Sequence, residues 1–292
     1  MTEIRKIKGI LISRPTVEGA GVNLKRAFGF SQVPNFDPFL LLDDFHSDKP
    51  ADYLKGFPWH PHRGIETITY VLHGEIEHGD SMGNKGTIHS GDVQWMTAGS
   101  GIIHQEMPRG QKDGSMWGFQ LWANLPSSDK MMTPRYREVK SSQIPEVTLD
   151  SGVKVRIICG AVNGISRPVK DIVTDPEYLD VTVPAALSFQ HAVSRGYTAF
   201  AYVLDGEGHF DGSQQLCRGE NLVLFGDGDE IRATAENRHF RFLLISGKPI
   251  KEAVAWYGPI VMNTQEALKT AFEEYESGTF LKHEKSGLTA LY

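Results

Sequence analysis

From Gly9 to Asn124 the chain alternates short apolar stretches with turn-forming residues, and nothing in that span repeats convincingly at a helical spacing. Phe39-Leu40-Leu41-Leu42-Asp43-Asp44-Phe45-His46 is an apolar run ending in acids, as expected of a buried strand that surfaces at its end. Thr67 to Leu72 is β-branched and aromatic and gives way to His73-Gly74, while Asp80-Ser81-Met82-Gly83-Asn84-Lys85-Gly86 carries hairpin turn chemistry. Val93-Gln94-Trp95-Met96 follows the turn Ser90-Gly91-Asp92. Gly99-Ser100-Gly101 bends the chain before His104, and Trp117 to Asn124 supplies another strand. Strands about ten residues apart predict an antiparallel barrel or sandwich over residues 1–130.

Pro, Ser and charge concentrate between Pro126 and Pro145, so residues 131–150 read as an ordered linker. The first pattern then recurs. Tyr70-Val71-Leu72-His73-Gly74-Glu75 returns as Tyr202-Val203-Leu204-Asp205-Gly206-Glu207, and Ser90-Gly91-Asp92 returns in kind as Arg218-Gly219-Glu220. The expectation is an all-β protein with a second copy of the barrel over residues 151–292. That span includes one helix over 264–276, where Ala267, Leu268, Ala271, Phe272 and Tyr275 form an apolar stripe, Asn263 caps the start and Ser277-Gly278 stops the end. The stripe is expected to pack on the second barrel.

Composition narrows the class. A chain of 292 residues that is 40% hydrophobic and 23% charged has an ordinary globular make-up and buries about three quarters of its unfolded surface. No apolar run is long enough to span a bilayer, and the start lacks the apolar core of a signal peptide, so a soluble, cytoplasmic protein is expected, a monomer by default. Cys159 and Cys217 are too few for a disulfide framework. A net charge of -6 argues against a nucleic-acid grip.

Chemistry concentrates in two segments, His60-Pro61-His62 and His104-Gln105-Glu106. Residues two apart on a strand share a face, so two such pairs on facing strands bring three imidazoles and a carboxylate together. Borderline divalent metals accept those donors and keep coordination positions open for chemistry. The repeat supplies an internal control. Aligning the copies sets His60, His62 and Glu66 against Ala192, Ser194 and Thr198, and His104 and Glu106 against Arg232 and Thr234. The second copy does without every candidate ligand, which weakens the view that these histidines merely fill a core. His191, alone in that copy, is expected to be a hydrogen-bonded structural residue.

Leu41-Leu42-Asp43-Asp44-Phe45, His60-Pro61-His62-Arg63-Gly64-Ile65-Glu66-Thr67, Gly91 to Gly99, Gly101-Ile102-Ile103-His104-Gln105-Glu106-Met107 and Gln120-Leu121-Trp122 resemble the pirin family of bicupins. The resemblance implies two cupin barrels and one mononuclear metal in the first. That metal is usually iron(II), with Ni, Cu, Mn, Co or Zn as alternatives, and the implied ligands are His60, His62, His104 and Glu106. It implies quercetin 2,3-dioxygenase chemistry on a flavonol and dioxygen, with Glu106 as base. Many cupins take their carboxylate from the position of Glu66, whose parity also aims it inward unless Gly64 breaks the strand, so Glu66 is kept as a pocket residue. Phe45, Trp59, Trp95, Met96, Phe119 and Trp122 are the candidate pocket walls. Pirins are also described as regulators that bind a transcription cofactor or a metabolic enzyme, with iron as a redox switch. A bicupin that binds a small molecule over a structural metal is a third reading.

Overall fold

The computed structural model describes residues 2–166 and 172–283. Its first half is a run of strands: β1 (Ile7–Ile12), β2 (Arg14–Glu18), β3 (Val22–Phe28), β4 (Phe39–Ser47), β5 (Phe57–His62), β6 (Ile65–His73), β7 (Glu75–Asp80), β8 (Lys85–His89), β9 (Val93–Thr97), β10 (Ile102–Arg109), β11 (Met116–Asn124) and β12 (Arg135–Val139). The expected strand-and-turn pattern is present, with no α-helix among these elements.

The chain does pass from one compact unit to the other within 131–150, after Ser141, but the units are not two consecutive halves. One compact unit gathers Pro15–Ser31, Phe39–Ser141 and the segment from Ile250 onward; the other gathers the chain up to Arg14, Gln32–Pro38 and Ser142–Pro249. Strand pairing explains the exchange at the start, because β1 hydrogen-bonds to Asn221–Phe225. The ordered stretch expected there is built of strands that belong to the two units. β12 is an edge strand paired with β9, and Glu146–Thr148 pairs with the strand Lys154–Cys159. The end of the expected second domain, beyond residue 283, lies outside the described residues.

In the first unit a seven-stranded sheet ordered β12-β9-β6-β11-β4-β3-β2 lies across an interior from a four-stranded sheet ordered β5-β10-β7-β8. Leu24, Phe45 and Val71 from the larger sheet share one core cluster with Ile76 and Ile88 from the smaller. Hydrogen-bonded pairing does not run from one sheet into the other, so side chains close this barrel. β6 is buried along nearly its whole length on both faces. Consequently its alternation shows in the partners each residue meets rather than in exposure.

The segment from Ile250 adds a hairpin, Ala255–Tyr257 with Ile260–Met262, and the helix α1 (Gln265–Glu276). The α1 stripe does not pack on the second barrel. Leu268 and Ala271 share a cluster with Ile103 of β10, with Ile260, and with Trp59 at its edge. Thr264, not Asn263, caps the helix: its Oγ1 accepts the Ala267 N–H at 3.1 Å, while Asn263 donates to Glu252 and to the Ala253 carbonyl. Gly278 at φ +74° ends it.

The second unit is built on a nine-stranded sheet with a core that includes Val155, Phe189, Val203 and Phe242. There His191 Nε2 pairs with Glu177 Oε1 at 2.8 Å, the structural role expected of it.

Candidate metal centre

β5 and β10 are hydrogen-bonded neighbours, with His104 opposite His60 and Ile102 opposite His62. The two-residue step keeps His60 and His62 on one face, and antiparallel pairing brings His104 alongside. The two segments are thus adjacent strands of one sheet rather than facing strands. A register shift between His104 and Glu106 follows, yet Glu106 still turns inward, where its Oε1 meets Thr69 Oγ1 of the opposite sheet at 3.2 Å.

The donor atoms of His60, His62 and His104 all lie within 4.8 Å of one another. Backbone carbonyls fix two tautomers: His60 Nδ1 lies 2.8 Å from the Pro58 oxygen and His62 Nδ1 lies 3.1 Å from the Pro259 oxygen. A carbonyl only accepts, so both Nδ1 atoms carry the proton and both Nε2 atoms present lone pairs. Those lone pairs meet at 3.1 Å. Neither can donate to the other, and both ring nitrogens of His104 are buried without a hydrogen-bond partner among the described residues. Burial holds all three imidazoles below their usual pKa, His62 and His104 well below, so protonation does not relieve the crowding. A cation accepts what this cluster offers, and borderline divalent metals fit a set of convergent neutral imidazoles.

Glu106 lines the same cavity as His60 and His62 but is not one of the group whose donor atoms lie within 4.8 Å of one another. Burial raises its pKa, against the pull of His78 and the Thr69 hydrogen bond. The site opens into a cavity of about 700 Å³ whose walls include Phe45, Trp59, Thr69, Glu106, Gln120 and Trp122. Phe45, Trp59 and Trp122 are among the residues that line this cavity, and Trp122 meets His62 edge-on with ring centroids 5.1 Å apart.

Glu66, Trp95 and Phe119 do not line this cavity. Gly64, at φ +78°, separates β5 from β6 and resets the alternation. On β6 the inward residues are Thr69 and Val71, so Glu66 faces the other way and accepts a hydrogen bond from Thr97 Oγ1 at 2.7 Å. Trp95 pairs with Ile68, and Phe119 with Tyr70, on that same outer face. All three are fully buried, so their apolar or interior character in the sequence belongs to a different layer. Met96, opposite Thr67, is fully buried as well and is not a cavity wall.

Sequence reasoning missed four contributors. His78 sits 5.5 Å from His104 by ring centroids, held between Asp80 Oδ2 at 3.2 Å and the Gln94 amide at 2.7 Å. Thr69 and Gln120 meet at 2.5 Å in the cavity wall. Parity along β6 and β11 would have found these two once Gly64 was taken as a break. The segment from Ile250 supplies the Pro259 carbonyl on His62 and Trp256, whose ring lies 5.9 Å from Trp122. No local signal marks that long-range contribution.

The model of the family described as Pirin matches residues 21–123, and the model described as Pirin C-terminal cupin domain matches residues 178–281. A pirin-like protein of Caulobacter vibrioides is 42% identical over 278 residues, covering 95% of this chain and 99% of that protein. A Pseudomonas aeruginosa protein that carries the provisional name quercetin 2,3-dioxygenase is 38% identical, covering 95% of this chain and 99% of its own. The crystal structure of quercetin 2,3-dioxygenase from Acinetobacter baumannii superposes with a TM-score of 0.86 at 30% identity, covering 95% of this chain and 98% of that one. Both β-units are thus cupin domains, as the sequence pattern implied.

Proposed function

This chain belongs to the pirin family, and from that premise we propose that it is a metal-dependent dioxygenase cleaving a flavonol of the quercetin type with dioxygen. One observation carries the reading: the donor atoms of three neutral imidazoles lie within 4.8 Å of one another, and two of them, His60 and His62, line with the buried carboxylate of Glu106 a cavity of about 700 Å³ whose walls are largely aromatic and aliphatic. His60, His62 and His104 hold the metal, read as iron(II), with Glu106 as the fourth ligand or the base. When bound, the metal stabilises the anion of the flavonol 3-hydroxyl and supplies the electronic coupling to dioxygen.

The protein's own groups do the rest. Glu106 takes the 3-hydroxyl proton. Desolvation makes its carboxylate a stronger base than one in water, and Thr69 holds its Oε1 in place. The Pro58 and Pro259 carbonyls keep the Nε2 atoms of His60 and His62 deprotonated and aimed inward. Trp122 and Trp256 present flat faces that orient a planar ring and keep water away from the reacting carbons.

Iron-loaded protein is expected to consume dioxygen and bleach flavonol absorbance. His62→Ala and Glu106→Ala should each lose roughly a hundredfold or more of that rate. A variant that bleaches as fast as wild type removes the assignment.

A further inference from the structure

Five polar side chains stand in one row across the larger sheet. Gln94 is opposite Thr69, Thr69 opposite Gln120, Gln120 opposite Asp43, and Asp43 opposite Arg26. The row joins the metal centre at one end, because Thr69 touches Glu106 and Gln94 touches His78. At the other end Arg26 grips Asp43 with Nε and Nη2 at 2.8 and 2.7 Å, and reaches Glu18 with Nη1 at 2.9 Å. Hydrogen bonds link Thr69 to Gln120 and Arg26 to Asp43, but among the described residues none links Gln120 to Asp43. Both of these residues line the cavity. Among the described residues Gln94 and Thr69 are not hydrogen-bonded to each other either, but the Gln120–Asp43 rung is the open one with both residues on the cavity, where a ligand can reach it.

Charge says what fits there. Apart from the imidazoles, the groups of the cavity wall that carry charge near neutral pH are Glu18, Asp43 and Glu106 against Arg26 alone, whose Nε, Nη1 and Nη2 already serve carboxylates. An anionic ligand finds no unshared cation in this wall. A hydroxyl finds acceptors, since each Asp43 oxygen takes one bond from Arg26 and keeps a further lone pair. Thr69 and Asp43 are two strands apart, roughly 10 Å at the usual interstrand spacing. A single ring does not bridge that distance; a molecule of two or three rings does.

We propose that Asp43, clamped by Arg26, is a specificity-determining residue that accepts a hydroxyl from the far ring of a neutral, polyhydroxylated, multi-ring aromatic lying along the row. This rests on the dioxygenase reading for the placement of the near hydroxyl at the imidazoles.

The test compares quercetin with 3-hydroxyflavone, which has the same ring system without the other hydroxyls, on metal-loaded full-length protein. Kd is read from tryptophan quenching and kcat/KM from dioxygen uptake. Wild type should prefer quercetin by roughly tenfold or more, the worth of one charge-assisted hydrogen bond. In Asp43→Asn that preference should shrink to about twofold or less, through weaker quercetin binding. The double variant Arg26→Met with Asp43→Leu, which strands no buried charge, should shrink it equally. Wild type without a preference, or a preference retained in either folded variant, overturns the inference. If neither compound is oxidised but an Asp43-dependent binding preference is measured, the dioxygenase reading fails and this inference stands. If quercetin is oxidised with no such preference, the reverse holds.

Discussion

Gly64 decides which carboxylate shares a face with the histidines. At φ +78° it ends β5 and lets β6 start with the opposite parity, so Glu66 turns away to Thr97, while Glu106 reaches the cavity from β10. A Cβ at this position would also lie 2.0 Å from the Val261 carbonyl oxygen. Gly64→Ala should therefore cost about 2–4 kcal/mol in urea unfolding of the metal-free protein. A change under about 0.5 kcal/mol would mean that the backbone tolerates another conformation there. The convergence of the three histidines was legible because His60 and His62 lie two apart within one strand, where counting by two is safe. Trp95 and Glu66 were misread because β6 and β9 are buried on both faces, and Phe119 because on β11 its neighbours Gln120 and Trp122, on the cavity face, are less buried than it is, so apolar character does not say which face. The same burial sets a pH dependence. Folding keeps His62 and His104 neutral where the unfolded chain has protonated them. Their contribution to the stability of the metal-free protein is present above the unfolded value near 6.5 and is lost as pH falls from there through the folded values, at up to about 1.4 kcal/mol per pH unit per histidine. Unfolding free energies at pH 7.5 and 5.5 should differ less in His62→Gln than in wild type; an equal difference would mean that the buried imidazole of His62 does not set the pH dependence.

The hairpin reaches the candidate metal centre and α1 packs beside it, although both follow the second barrel in sequence. Arg63, next to His62, holds this segment from inside: it donates to the Ser100 and Phe280 carbonyls at 2.7 Å each and pairs with Glu274 at 2.7 Å, its guanidinium 4.2 Å from the Phe280 ring centroid. The segment in turn carries the Pro259 carbonyl that sets the His62 tautomer. Arg63→Met keeps an apolar stem and removes every one of those polar contacts. It should loosen the segment after Ile250 to proteolysis and weaken metal binding by roughly 10–100-fold, the usual cost of losing the group that orients a ligand. Unchanged affinity in a chain that is cut more readily would separate the latch from the metal. Thr264→Ala tests α1 alone and should cost about 1 kcal/mol, since it removes only the cap on the Ala267 N–H. The helix itself was legible from its stripe. Its destination was not, because a stripe of Leu268 and Ala271 states that a partner exists and nothing about which one.

The whole chain trades its ends between two cupin units: the start pairs with strands near residue 220, and the segment from Ile250 completes the unit built from Pro15–Ser31 and Phe39–Ser141. The internal repeat made the duplication readable. The exchange was invisible, because it depends on which apolar faces lack cover after each barrel has formed, and no residue pattern records that. A chain ending at Ser141 keeps every candidate ligand yet lacks the Pro259 carbonyl, the Trp256 wall and the cover over Ile103 and Trp59. Loss of a buried apolar cluster of this kind costs several kcal/mol, since each large side chain left bare forfeits about 1.5–3. Such a fragment should aggregate or bind the metal at least tenfold more weakly than the full chain, measured by competition with a coloured chelator. Adding residues 250–283 as a separate peptide should recover part of the affinity, because the same contacts can form between chains at an entropic cost. A monomeric fragment that binds one metal with full affinity would show that the histidines need only their own two strands. The segment would then be a cover for the cavity rather than a member of the centre.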